Sequence, residues 1–163
     1  MVGSGRATAE LEDLAEAVGR ELGRRGAVVV CGGLGGVMAA ACRGAAAEGA
    51  LTLGILPGED RSAANPWVAV AVPTGLGELR NGLVVRASDA LVAVGGEHGT
   101  LSEVALALTT GCPVVGLRTW GLVRPDGRPD RSLVEAPDPQ RAVELALALA
   151  DERRPQTGAG PAP

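Results

Sequence analysis

The sequence AVVVCGGLGG, residues 27–36, decides the fold of this chain of 163 residues. Its first half, residues 27–31, is an uninterrupted apolar run of strand length, which is typical of a parallel strand with helices on both faces of its sheet. The glycines within residues 32–36 then predict a turn, and the apolar stretch over residues 37–48 predicts a helix. The sequence therefore indicates a strand, a glycine-rich loop and a helix in immediate succession.

The same unit recurs on both sides of this stretch. Further helices are predicted over residues 10–25, with Thr8 as the N-cap, over 76–87, from the second glycine loop to 110, and over 141–153, and further strands over 51–56, 67–72, 89–94 and 113–117. Strands that alternate with helices imply right-handed crossovers and a parallel sheet. We therefore predict an α/β fold, a three-layer Rossmann-like parallel sheet with helices on both faces.

The ends of the chain and one internal segment depart from this pattern. Met1 and Val2 alone precede the first glycine turn, so we expect a truncated first strand. Residues 118–139 are rich in Arg, Pro and Gly without a period, which predicts a surface loop. Residues 1–154 are predicted to form one domain, and residues 155–163 to form a disordered tail.

The composition argues against several classes of protein. The chain has two Trp, no Phe or Tyr, and a formal net charge of -4, so it offers neither aromatic platforms for bases nor a basic field for phosphodiesters. No apolar run reaches the roughly 20 residues of a membrane span, and the start lacks the pattern of a secretory leader. We expect a cytoplasmic protein with neither a nucleic acid nor a membrane as partner.

The cysteines and the single histidine do not form a metal-binding motif. Cys31, Cys42 and Cys112 lack C-x-x-C spacing, and His98 cannot complete a zinc site with thiols so far apart in the sequence. We expect no metal site and interpret the cysteines as buried small apolar residues in a reducing compartment.

Three glycine-rich segments precede predicted helices. The carboxyl ends of parallel strands meet at one edge of a sheet, where ligands bind. Backbone N–H groups of glycine loops approach anions closely, and a helix N-terminus adds a partial positive charge, so these loops suit a phosphate. The alternative, that each loop is only a tight turn, stays open. The candidate ligand-binding residues are Gly3, Ser4, Gly5, Gly32, Gly33, Leu34, Gly35, Gly95, Gly96, His98, Gly99 and Thr100.

Four segments resemble a known group of bacterial Rossmann-fold proteins: VCGGLGGVM at 30–38, GILPG at 54–58, Arg80-Asn81, and GGEHGTLSE at 95–103. The resemblance covers residues 3–120. The group holds the molybdenum cofactor carrier proteins and the phosphoribohydrolases that release cytokinin bases from nucleoside 5′-monophosphates, formerly labelled lysine decarboxylases. It implies a nucleotide or a molybdenum-cofactor-like ligand, held in part by Arg80 and Asn81, with no other cofactor required.

The hydrolase signature P-G-G-x-G-T-x-x-E is matched in its last positions. Gly96, Gly99, Thr100 and Glu103 stand at its Gly, Gly, Thr and Glu. Arg80 stands at the Arg of the upstream Arg-Lys pair. By this resemblance Arg80 and Glu103 would be the catalytic pair if the protein is a hydrolase, with Glu103 stabilising a cationic sugar and helping to place water.

Three departures from that signature favour binding without turnover. Gly95 replaces its Pro, Glu97 replaces a Gly, and Asn81 replaces the Lys of the pair. Glu97 also brings a negative charge into a loop expected to hold phosphate.

Three functions follow as hypotheses from these motifs. The first is a binding or carrier protein for a phosphorylated small molecule, either a nucleotide or a molybdenum-cofactor-like ligand. The alternative is a nucleoside 5′-monophosphate phosphoribohydrolase that cleaves the N-glycosidic bond, and a third possibility is a nucleotide-binding sensor. Small apolar faces at residues 105–110 and 141–150 further predict a homodimer or a homotetramer.

Overall fold

A computed structural model describes residues 1–153, so the predicted tail over 155–163 lies outside the described residues. Two short 3-10 helices, Arg61–Ala63 and Gly77–Arg80, lie in the connections. The strands are β1 (Val2–Gly3), β2 (Val29–Cys31), β3 (Thr52–Leu56), β4 (Val70–Pro73), β5 (Leu91–Val94), β6 (Val114–Leu117) and β7 (Leu133–Glu135). The α-helices are α1 (Ala9–Arg24), α2 (Val37–Ala47), α3 (Asn81–Arg86), α4 (His98–Thr109) and α5 (Pro139–Arg153).

The start of α1 shows how local chemistry sets these elements. Thr8 caps the helix, and its side chain accepts a hydrogen bond of 3.4 Å from the backbone N–H of Leu11. Glu10 and Glu12 lie in the first turn, where carboxylates are favoured by the helix dipole. The predicted N-cap is therefore confirmed, and the helix bounds differ from the prediction by one residue at each end.

The strands are all parallel, and the short first strand divides them into two hydrogen-bonded sheets. One sheet has the order β1-β5-β6-β7 and the other the order β2-β3-β4. Val2 and Gly3 pair with Ala93 and Val94 of β5. Toward the second sheet, Met1 N donates to Val30 O at 2.8 Å. The first strand is short, as predicted, and its two residues form too few hydrogen bonds to join β2 in one ladder.

Strand β5 separates two apolar layers. Val92 and Val94 point into a cluster with residues of α1, α2 and α5, whereas Leu91 and Ala93 point into a cluster with residues of α3 and α4. This alternation is what a strand buried on both faces requires. The predicted three-layer architecture is therefore confirmed.

Helices α1 and α2 cross at unusually close range because glycines lie at the crossing. A Cβ on Gly19 would lie 2.1 Å from the carbonyl oxygen of Ala41, and a Cβ on Gly44 would lie 2.1 Å from that of Glu16. Neither position has room for a side chain. The two helices therefore pack backbone against backbone over the sheet.

Three predictions about elements are corrected by the structure. The segment over 118–139 contains β7, which pairs with β6 and buries Leu133 in the core. Strand β4 begins at Val70, three residues later than predicted, because the N–H of Val68 donates to Asn65 O and holds residues 65–68 in a turn. The predicted helix over 76–87 is a 3-10 turn followed by the six-residue α3.

The segments predicted to join subunits, 105–110 and 141–150, are buried within the chain only in part. The buried residues are Ala107 in the first segment and Ala142, Val143, Ala146 and Ala150 in the second, whereas Ala105 and Ala148 are exposed. The larger apolar side chains that stay exposed lie elsewhere, with Leu79 82% and Leu83 43% exposed beside the start of α3.

Within residues 1–153, no helix is long and apolar enough to cross a bilayer. In the same range, no group of three or more His, Cys, Asp or Glu side chains is placed to hold a metal ion. Cys31, Cys42 and Cys112 are buried and free.

Candidate functional site

The glycine loops after β1 and β2 meet the start of α4 around a cavity of about 250 Å³. This is the edge of the sheet where parallel strands end and ligands bind. Two grooves of about 570 and 580 Å³ flank β7, away from the glycine loops. The cavity is lined by Met1, Val2, Gly3, Ser4, Gly5, Gly32, Leu34, Met38, Glu78, Arg80, Asn81, Glu97, Gly99, Thr100 and Glu103.

Most of the candidate residues therefore converge on one cavity. Five candidates do not line it: Gly33, Gly35, Gly95, Gly96 and His98. Five lining residues were absent from the candidate set: Met1, Val2, Met38, Glu78 and Glu97.

Internal hydrogen bonds explain why some loop glycines do not face the cavity. The N–H of Gly33 donates to Cys31 Sγ at 3.3 Å, and the N–H of Gly95 donates to Leu117 O at 3.2 Å. These donors are already used within the protein. The two glycines shape their loops, and the backbone of neighbouring residues faces the cavity instead.

The loop after β2 is fixed by one glycine and one amide. Gly36 has a φ of +59°, and a Cβ there would lie 2.4 Å from Ser4 O. This close approach lets the N–H of Val37 donate to Ser4 O at 3.1 Å, which ties the first two glycine loops together. Asn65 Nδ2 donates to the carbonyls of Gly33 and Leu34 at 3.2 and 3.0 Å. Asn65 was not predicted to have this role.

Arg80 is the buried cation of the cavity. It is only 7% exposed, and its Nη1 lies 3.9 Å from Glu103 Oε1. Nη1 also donates to Asn81 Oδ1. Within residues 1–153, its Nε is buried without a hydrogen-bond acceptor. A Cβ on Gly32 would lie 2.5 Å from Nη2, so the glycine makes room for the guanidinium.

Glu103 is a buried carboxyl with an unusual protonation behaviour. Burial raises its pKa from 4.5 to about 7, even though the nearby Arg80 lowers the pKa. The side chain is 9% exposed. At neutral pH Glu103 is therefore close to half protonated, a state in which a carboxyl can donate or accept a proton.

We expect Glu103→Gln to change how stability depends on pH. Between pH 4.5 and about 7 the folded wild type binds more protons than the unfolded chain, so its free energy of unfolding falls as pH rises. Glutamine has no such ionisation. The variant should gain stability relative to wild type by roughly 2–3 kcal/mol between about pH 5 and about pH 8, measured by urea unfolding.

Exposed Glu152 on α5 provides the control for this effect. The variant Glu152→Gln makes the same chemical change at an exposed position, and its unfolding is measured beside that of Glu103→Gln at about pH 5 and about pH 8. A stability difference between Glu103→Gln and wild type that does not change with pH would contradict the assigned protonation.

The rest of the cavity combines both signs of charge. Gly99 and Thr100 lie in the first turn of α4, where the helix dipole gives a partial positive charge. Glu78 and Glu97 are exposed and lie on the rim. The cavity thus offers a cationic interior for an anionic group and an acidic rim for groups that carry hydrogen-bond donors.

The chain is similar to known proteins over most of its length. A family model described as the SLOG cluster4 family matches residues 1–148. An uncharacterized protein of Archaeoglobus fulgidus is 39% identical over 118 residues, which cover 72% of this chain and 78% of that protein.

Solved structures show the same fold. The molybdenum cofactor binding protein from the phototrophic bacterium Rippkaea orientalis has a TM-score of 0.79 and 32% identity, covering 88% of this chain and 90% of that one. The molybdenum cofactor carrier protein from Chlamydomonas reinhardtii has a TM-score of 0.78 and 30% identity, covering 92% of this chain and 94% of that one. The resemblance to carrier proteins and the predicted Rossmann-like fold are both confirmed.

Proposed function

The chain belongs to the SLOG cluster4 family, and from that premise we propose that it binds or carries a phosphate-bearing small molecule, a nucleotide or a molybdenum-cofactor-like ligand. The ligand binds in the cavity between the first two glycine loops and the start of α4. Similar solved structures are named for binding or carrying the molybdenum cofactor, which supports a small-molecule ligand of this kind.

The observation that carries this proposal is the charge of Arg80. Within the described residues its one ion pair is with Glu103, at 3.9 Å. That carboxyl has a pKa of about 7, so below neutral pH it is mostly uncharged and leaves the buried guanidinium without an anion. Buried charges in proteins are normally paired. A ligand phosphate supplies the missing negative charge and accepts charge-assisted hydrogen bonds.

The backbone around Arg80 fits the same anion. Gly3 ends β1, Ser4 and Gly5 follow it, and Gly99 and Thr100 lie in the first turn of α4, so residues from two loops line the cavity with Arg80. Loops of this kind and helix N-termini are common sites for phosphate. Asn81 adds a side-chain amide that already contacts Arg80.

A second candidate function is hydrolysis of a nucleoside 5′-monophosphate. The observation that favours it is Glu103, whose pKa of about 7 suits a general acid or base at neutral pH. In this alternative Arg80 holds the phosphate and Glu103 stabilises the developing positive charge on the ribose. The N-glycosidic bond breaks, water adds to the sugar, and free base and ribose 5-phosphate leave.

One experiment separates the two functions. Purified protein is titrated with AMP, GMP and molybdopterin by calorimetry, and the nucleotide mixtures are then analysed for released base. Saturable binding without release establishes a carrier. Release of base that is lost in Glu103→Gln and kept in Glu152→Gln establishes a hydrolase. Absence of binding by all three compounds overturns the proposal.

The proposed carrier acts in the cytoplasm as a homodimer or a homotetramer. Leu79 and Leu83, exposed beside Arg80, provide apolar surface for self-association close to the cavity. In the α4 and α5 segments that were predicted to serve this purpose, Ala105 and Ala148 are also exposed.

A further inference from the structure

The cavity holds only part of a nucleotide-sized ligand. Its volume is about 250 Å³, whereas clefts for ligands of drug size are typically about 300–1,000 Å³. A nucleotide or a pterin phosphate whose phosphate lies beside Arg80 therefore extends past the rim. The part of the ligand beyond its phosphate then contacts residues at or next to the rim.

An aromatic pair lies next to this rim. His98 is exposed and stands between Glu97 and Gly99, which both line the cavity. Its ring centroid is 5.8 Å from that of Trp120, with the two planes inclined by 41°. The chain has no Phe or Tyr. In its other tryptophan, Trp67, the ring centroid lies 5.3 Å from Arg43 Cζ. Of the two tryptophans, Trp120 is thus the one that contacts His98.

The backbone holds Trp120 in place beside the second glycine loop. Thr119 Oγ1 donates to Gly95 O, which ties the loop after β6 to the loop after β5. Arg118 has a φ of +53°, a left-handed conformation that is costly for a residue with a side chain. Such strain persists where the surrounding structure imposes it.

The indole of Trp120 has an unused hydrogen-bond donor. Its Nε1 is buried and has no acceptor within residues 1–153. Buried N–H groups are nearly always hydrogen-bonded. A heterocycle with ring nitrogens or carbonyl oxygens carries the kind of acceptor that this donor lacks.

We propose that His98 and Trp120 form a second subsite that stacks against the planar nitrogen heterocycle of the ligand, a purine or a pterin, while Arg80 holds its phosphate. This inference rests on the proposed function, since it needs a phosphate in the cavity. The subsite gives the protein a preference for heterocyclic phosphates over sugar phosphates. The acidic rim residue Glu97, next to His98, can accept hydrogen bonds from the amino groups of such a ring.

The test compares ligands with and without the ring. Dissociation constants are measured by calorimetry for ribose 5-phosphate, AMP and GMP, the last of which shares the 2-amino-4-oxopyrimidine ring of a pterin. Wild type should bind AMP or GMP on the order of tenfold more tightly than ribose 5-phosphate, the scale of one aromatic stacking contact. His98→Ala and Trp120→Leu should lose that advantage and bind ribose 5-phosphate as wild type does.

Trp67→Leu is the matched control. It should bind all three compounds as wild type does, and it leaves Trp120 as the only tryptophan, so its fluorescence should change on addition of GMP or AMP and not of ribose 5-phosphate. His98 is exposed, so His98→Ala tests the subsite even if Trp120→Leu fails to fold.

The two levels of the proposal fail differently. Nucleotides that bind no more tightly than ribose 5-phosphate, or variants at His98 and Trp120 that keep the wild-type preference, overturn the subsite and leave the phosphate site standing. If none of the three compounds binds, both the phosphate site and the aromatic subsite are overturned.

Discussion

Gly44→Ala is expected to lower the free energy of unfolding by about 3 kcal/mol, at the upper end of the usual cost of overpacking a core. The new methyl group would lie 2.1 Å from the carbonyl oxygen of Glu16 and 2.9 Å from the backbone nitrogen of Arg20. Both atoms belong to the backbone of α1, so no side-chain rotation relieves the contact. Helices α1 and α2 have to move apart, and urea unfolding should show the loss.

Gly82→Ala is the control, because Gly82 also lies in an α-helix. Its added methyl would lie 3.7 Å from Leu106 Cδ2, an ordinary contact. Alanine is also a better helix former than glycine, so this variant should be as stable as wild type or slightly more stable. Equal stability of Gly44→Ala and Gly82→Ala would contradict the close crossing of α1 and α2.

The close crossing of α1 and α2 was not predicted from the sequence. The apolar period of α1 is visible in the sequence, and its core positions Ala15 and Val18 are fully buried as that period requires. By its low helix propensity, a glycine inside a helix indicates a less stable helix. It does not by itself predict a close contact with a second helix. Gly19 and Gly23 are four residues apart and share one face, which is the feature of the sequence that indicates close packing.

Strand β7 was missed for a different reason. Its three residues, Leu133–Glu135, are too few to show an alternating pattern. They form a strand because β6 offers a free edge and because Leu133 fits into the core beside it. Pairing of this kind depends on tertiary contacts, so local sequence does not reveal it.

The sequence predicted the loops of the site and its charged pair Arg80 and Glu103, but neither the place of Glu78 nor the protonation of Glu103. Parallel strands bring their carboxyl ends together, so the convergence of Gly3, Gly32 and Gly99 follows from the fold class. The position of Glu78 on the rim depends on the 3-10 turn before α3, which the sequence suggests only as a helix. The raised pKa of Glu103 depends on how deeply α4 buries its carboxyl.

Arg80→Met is expected to weaken ligand binding by at least about a hundredfold. Two charge-assisted hydrogen bonds to phosphate contribute roughly 3 kcal/mol or more together, which corresponds to this factor. Methionine fills much of the same buried space without charge. Glu103 then loses the guanidinium that lowers its pKa, so it stays protonated at neutral pH and the fold is not left with a buried carboxylate.

Arg80→Lys and Arg86→Met complete the test of the cation. Lysine keeps the charge but loses the planar pair of donors, so we expect an intermediate loss of about tenfold. Arg86 is exposed at the end of α3, which begins directly after Arg80, and Arg86→Met should bind as wild type does. Dissociation constants are measured by calorimetry with the compound that binds wild type, for variants whose unfolding midpoints match that of wild type. If Arg80→Met keeps wild-type affinity, the phosphate does not bind at Arg80, and the anion site has to be sought at the start of α4 alone.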